Sequence, residues 1–238
     1  MPELRGATEC IERGGVSLSA ALDKGAAIEI LLAARRIADQ AKEEGALRSP
    51  KVPRATCDHM GGVLADSVLQ SGLNYKTVVR PRVMAILQTY PKVDTVSALV
   101  KLTQRRKTAE FLNWNHHEKV TRFESLVSFM KDWGIEDAED LRSALNDADF
   151  CNAMQSINGI GPKTVDYMAC LVGIDSIAID RHVRTFAKKV GVESSDYQFL
   201  KRSFCCAADL LSLPRREFDA WLWRNATFPM PKQLNLAL

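Results

Sequence analysis

Ile157-Asn158-Gly159-Ile160-Gly161-Pro162-Lys163-Thr164 is the stretch on which the reading of this chain turns. Upstream, Phe150, Ala153, Met154 and Ile157 recur at helical spacing, and downstream Val165, Met168, Ala169 and Val172 resume it. Between them the two glycines suit a tight turn needing unusual backbone angles, and Pro162 fits the first position of a second helix. Ile160 can plug the angle between the helices. The expectation is helix, compact hairpin, helix. With no side chains at Gly159 and Gly161, backbone N–H groups of the hairpin and the following helix start can converge on an anion, and a DNA phosphate is the natural occupant. The plainer reading is a joint between two packed helices, which glycine and proline supply in many helical proteins.

Downstream, Ile177, Ala178 and Ile179 form an apolar run ending in Asp180, which stands at the N-cap of a helix carrying Val183, Phe186, Ala187 and Val190. Lys163 and Asp180 lie 17 positions apart. That allows a helix of about three turns and a return loop that brings the two side chains together. Lys163 sits in the first helical turn, where the positive end of the dipole disfavours ammonium and favours a neutral, nucleophilic amine. Taken alone, Asp180 reads as a cap and Lys163 as an ordinary phosphate contact.

Outward from this centre the chain predicts an all-α fold, with apolar residues at spacings of three and four and no strand-like alternation. Ile30, Ala33, Ala34, Ile37 and Ala41 mark a helix in 26–44, and the proline-bearing stretch 48–54 reads as a linker. Short helices follow at Leu64 to Leu69, at Val83 to Tyr90 with Pro81 in the first turn, and at Val96 to Val100. Asn115 and Glu118 resemble a capping box for a helix bearing Val120, Phe123, Val127 and Met130, which Gly134 can end. Further helices carry Leu141 and Leu145, then Leu200 to Leu211 closed by Pro214, then Phe218, Trp221 and Leu222.

Composition narrows the function classes. Of 238 residues, 46% are hydrophobic and 26% charged, a globular balance that argues against disorder, and the net charge of +3 permits a nucleic-acid partner without demanding one. Six cysteines form no CxxC pair, no metal site is expected, and no apolar run is long enough to span a bilayer. With no secretory signal evident, free thiols in an intracellular compartment, cytoplasm with nucleoid or nucleus, are expected.

Together, the run from Ile157 to Thr164 and the run Ile177-Ala178-Ile179-Asp180-Arg181-His182-Val183 resemble the helix-hairpin-helix and Gly/Pro-rich loop with aspartate of the DNA glycosylases related to endonuclease III. The resemblance covers roughly 58–226. It implies a six-helix barrel, drawn at 55–164 and ending in the hairpin, and a lobe from both chain ends, 1–54 and 165–238, with DNA bound in the cleft between them. It implies a monomer that acts on double-stranded DNA, flips a modified base out of the stack, and excises it with Lys163 as Schiff-base nucleophile and Asp180 as assisting carboxylate, followed by an abasic-site lyase step. It also implies DNA contacts from Gly159, Ile160, Gly161, Thr164, Arg181 and Arg184, and a wedge at Leu73, Asn74 and Tyr75; a solvated loop is the plainer reading of that last segment. A monovalent cation on the hairpin carbonyls would be the sole bound ion. Trp114 lines the base pocket in this analogy, although core packing is its simpler role, and Lys188, Lys189 and the cluster Arg105-Arg106-Lys107 are further cationic candidates. Endonuclease III relatives usually carry a four-cysteine iron–sulfur loop after the last helix. Here Thr227-Phe228-Pro229-Met230-Pro231 follows without cysteine, so no cluster is expected and endonuclease III's substrate choice does not transfer. Two alternatives stay open: a monofunctional glycosylase in which Asp180 activates water, and a non-catalytic module that clamps phosphate with the hairpin. The excised base is not identified.

Overall fold

The computed structural model describes residues 18–48 and 55–227, and within these every regular element is helical. In chain order they are α1 (Leu18–Glu43), α2 (Met60–Leu69), α3 (Arg80–Thr89), α4 (Val96–Gln104), α5 (Thr108–Leu112), α6 (His117–Asp132), α7 (Ala138–Ala144), α8 (Ala148–Met154), α9 (Pro162–Leu171), α10 (Arg181–Lys189), α11 (Tyr197–Leu210) and α12 (Arg215–Thr227). A wide π turn, Tyr75–Val79, leads into α3. The all-α class expected from periodicity is the class observed. Most of the expected linker, 49–54, lies outside the described residues, as do Cys10 and Phe228 to Pro231. Among the described residues no helix is long and apolar enough to cross a membrane.

Local chemistry sets several helix ends. His59 begins α2 with a ring whose Nδ1 accepts the Gly62 N–H at 3.0 Å while Nε2 faces the Tyr90 carbonyl at 2.9 Å. A capping box does occur, but at α7: Asp137 accepts from Glu139 and Asp140 N–H groups, and the Asp140 carboxylate answers the Asp137 N–H. The box expected at Asn115 and Glu118 is not made. Helix α6 starts at His117, with His116 in the cap position and no side-chain cap bond, so Asn115 stands one residue too early. Gly134 ends α6 as expected, at φ +70°, with the Ile135 N–H donating to the Met130 carbonyl at 2.9 Å.

Two large hydrophobic cores organise these helices, with a small third cluster of Leu69, Val79 and Val83. The first is built from α2 to α9, from Met60 through Phe111, Phe123 and Phe150 to Met168 and Val172. The second joins Ala33, Ala34, Ile37 and Ala41 of α1 to Phe186, Phe204, Phe218 and Trp221 of α10, α11 and α12. Eight short helices line the first core where six were expected. The division between cores falls between Val172 and Ile177 rather than after 164, because the hairpin folds α9 back so that Val165 and Met168 complete the first core. The start of α9 thereby reaches the C-terminal end of α2, and the chain then crosses to the second core through 173–180.

Candidate active site

The hairpin is closed by Ile160, only 3% exposed and seated in the first core, whose N–H donates to the Ile157 carbonyl at 2.9 Å. Gly159 adopts φ +82°, which disfavours any side chain, and a Cβ there would fall 2.0 Å from Arg122 Nη2. The Arg122 guanidinium lies across the turn, its Nε donating to the Asn158 carbonyl at 2.8 Å. Gly161 differs from the expectation of unusual angles. Its φ of −108° and ψ of −179° are ordinary extended backbone, and nothing lies within 4 Å of a Cβ built on it, so this glycine keeps a surface open. Among the described residues the N–H groups of Gly161 and Lys163 have no hydrogen-bond partner. Two proposed DNA contacts fare differently: Thr164 is buried with its N–H bonded back to the Gly161 carbonyl at 2.9 Å, and Ile160 faces inward, so neither presents a side chain to a ligand.

Lys163 and Asp180 line the same cleft, of about 810 Å³, between the hairpin lobe and the second lobe. Lys163 is the second residue of α9; its ammonium donates to the side-chain carbonyl of Gln70 and lies 5.4 Å from the centre of the Tyr167 ring one turn on. Burial pushes its pKa below the ordinary lysine value, opposed by the carboxylates of Asp180, Asp219 and Asp66 and reinforced by Arg181. Desolvation, more than the helix dipole invoked from sequence, is thus the main force toward a neutral amine. Asp180 is a true N-cap: Oδ1 accepts from the His182 N–H at 2.8 Å and the Val183 N–H at 3.0 Å. The capping role and the cleft position coincide in one side chain, so the two readings of Asp180 are not alternatives.

The segment ahead of Asp180 is held by side chains from two helices. Ala178 N–H donates to Asp219 Oδ1 at 3.2 Å, and Ile179 N–H donates to the Tyr197 hydroxyl at 3.3 Å. Asp219, 9% exposed, also lines the cleft, together with Trp223 one turn later. Neither was singled out from sequence. Their spacing of four within the final helix, which places both on one face, is the signal that was there to use.

The expected wedge, Leu73 to Tyr75, also lines the cleft but is tied down. Leu73 packs against Leu69, Val79 and Val83; Asn74 Oδ1 accepts the Thr77 N–H at 3.1 Å; Tyr75 donates its hydroxyl to Asp66 at 3.1 Å and meets Trp223 edge-on at 6.0 Å. Buried Asp66 also accepts from Tyr167 at 3.0 Å, so one carboxylate joins this loop to α9. Lys119 fastens the loop from the other side, donating to the Val68 and Ser71 carbonyls at 2.9 Å each, with burial lowering its pKa to about 8. Only the tip, Ser71 and Gly72, joins Asn74 in being exposed among residues 71–75.

Cationic groups rim the cleft. Arg181, Arg184, Lys76 and Arg224 line it, Arg181 exposed and Arg184 also donating to the Ser194 carbonyl at 3.3 Å. Arg105, Arg106 and Lys107 do not line it and occupy the turn between α4 and α5. Trp114 lies outside the cleft as well, packed against the first core with the Arg82 guanidinium 5.2 Å from its ring centre, which decides for the packing role.

A family model described as a domain of unknown function (DUF8548) matches residues 35–227. No curated protein and no solved structure matches the chain.

Proposed function

We propose that this chain, which belongs to the DUF8548 family, is a DNA glycosylase with an associated abasic-site lyase step, acting on double-stranded DNA that carries a modified base. The observation that carries the reading is the meeting of Lys163 and Asp180 in one cleft, the lysine desolvated at a helix start and the aspartate fixed by its cap bonds at the opposite wall. Open backbone at Gly161, beside unpartnered N–H groups, suits a phosphate, and the arginine rim suits the rest of a DNA strand.

The chemistry follows from these groups. Sugar C1′ gains cationic character as the bond to the base nitrogen stretches, and the Asp180 carboxylate stabilises that charge. The neutral Lys163 amine adds to C1′ while the bonding pair leaves with the base, which takes up a proton. Opening of the sugar ring gives a Schiff base. Loss of a C2′ proton then expels the 3′ phosphate through cleavage of the C3′–O bond. Gln70, which holds the ammonium in the free protein, must yield it as the flipped nucleotide enters. Asp219, Trp223 and Tyr167 are the groups that a flipped base would meet.

Borohydride trapping on duplexes that each carry one modified base or an abasic site tests the proposal. A covalent adduct that Lys163→Ala abolishes and Asp180→Asn slows is the expected result. Base release that needs Asp180 but yields no adduct would replace it with water-mediated hydrolysis, and binding without release from any duplex would replace it with a phosphate-clamping module.

A further inference from the structure

A buried polar cluster lies behind the cleft and takes no part in the chemistry above. At its centre is Asp166, 7% exposed, on the same helix as Lys163. Its carboxylate accepts from Ser176 Oγ at 3.1 Å, from the Tyr197 hydroxyl at 2.7 Å and from Lys201 Nζ at 2.5 Å. Tyr197 and Lys201 are one turn apart on α11, so that helix presents both to Asp166. The Tyr197 hydroxyl gives its proton to Asp166 and uses a lone pair to accept the Ile179 N–H at 3.3 Å.

We propose that Tyr197 is a positioning residue for the reaction, its single hydroxyl tying the Lys163 helix to the loop that presents Asp180. This rests on the glycosylase reading. The tie is short in sequence at both ends: Asp166 is three residues from Lys163, and Ile179 is the residue before Asp180. Asp180 is already locked to its own helix by two cap bonds, so the remaining freedom is where the start of α10 sits relative to α9. Those two elements belong to different cores, and no helix runs between them to set their spacing. Tyr197 supplies a bridge across that seam. Asp219 steadies the same segment one residue earlier, through Ala178, and reaches it from α12. The bridge is also insensitive to pH near neutrality, because burial and the adjacent Asp166 carboxylate push the phenol far above its ordinary range and keep the donated proton in place.

The test compares full-length wild type with Tyr197→Phe, which keeps the ring and removes the bridge, and with Ser203→Ala. The last variant removes a buried hydroxyl from the same helix, which donates to the Phe199 carbonyl at 2.8 Å and touches neither Asp166 nor Ile179. Three quantities are read: the single-turnover rate of borohydride trapping on an abasic duplex, the Kd for a duplex with a tetrahydrofuran abasic analogue, and amide exchange at Ile179 by NMR. For Tyr197→Phe the trapping rate falls about 10- to 100-fold, Kd stays within about twofold, and Ile179 exchange accelerates. Ser203→Ala keeps the wild-type rate within about twofold even where its Tm drops. A Tyr197→Phe rate within about twofold of wild type overturns the proposal, as does a rate loss matched by an equal loss of binding. A wild type that releases no base and forms no adduct on any duplex sinks the glycosylase reading, and this proposal with it.

Discussion

Replacing Gly159 by alanine separates the two glycines of the hairpin. At φ +82° a Cβ costs about 1–2 kcal/mol. The new methyl also displaces the Arg122 guanidinium, a flexible group that can move, at the loss of its 2.8 Å bond to the Asn158 carbonyl. That bond is exposed and contributes about 1 kcal/mol. Reduced freedom of the unfolded chain returns about 0.5 kcal/mol. The net is close to 2 kcal/mol, a fall in Tm of about 4–8 °C for a chain of this size. In an Arg122→Ala background the same substitution meets no guanidinium and keeps only its backbone cost, so a double-mutant cycle by thermal or urea unfolding returns a coupling of about 1 kcal/mol. Gly161→Ala, at extended backbone with open space around it, leaves Tm within about 1 °C but sets a methyl beside the free N–H groups, weakening duplex binding measured by anisotropy at fixed salt. A Gly159→Ala protein that melts within 1 °C of wild type would refute the argument, and so would equal Tm losses at the two glycines.

Other outcomes follow from single contacts. Ile160→Ala empties the plug of the hairpin and costs about 2–4 kcal/mol by chemical denaturation. Burial disfavours the Lys163 ammonium, so the neutral fraction grows at lower pH than for free lysine: the trapping rate rises with pH, with its midpoint below the ordinary lysine value. Asp219 opposes that shift, and Asp219→Asn therefore moves the same pH–rate profile to still lower pH. Asp137→Ala breaks the observed capping box and costs about 1 kcal/mol, whereas Asn115→Ala, at the box that is not made, changes the unfolding free energy by less than about 0.5 kcal/mol.

The parts of this molecule that were legible in the sequence are those written in local spacing. Val165, Met168 and Val172 announced α9, Pro162 its start, and Ile160 the plug, because each depends on neighbours within a turn or two. Asp180 was legible as a cap for the same reason. The contacts that hold the cleft walls in place were not. Asp219 reaches Ala178 across 41 positions and Tyr197 reaches Asp166 across 31, and Arg122 covers a hairpin 36 residues downstream. Periodicity gives each helix an inner face but not the rotation that decides which polar residue at its edge meets which loop. The lobe boundary misplaced at 164 has a related cause. A hairpin looks like a divider in sequence, whereas its function in the fold is to return α9 to the core that it left.

The split of the second core between the ends of the described chain also bears on how the protein is made. Helix α1 ends at Glu43, yet its main packing partner, α11, begins only at Tyr197. At a synthesis rate of about 5–20 residues per second, α1 waits on the order of ten seconds for a surface to dock on, while the first core can close around its own helices. Alanine supplies most of the stripe that must endure this wait: Ala33, Ala34, Ala38 and Ala41 surround a single isoleucine, Ile37. The bulky aromatics that complete the lobe, Phe186, Phe204, Phe218 and Trp221, all emerge late and close together. The cleft, which takes walls from both lobes, is therefore assembled only once α12 has been made.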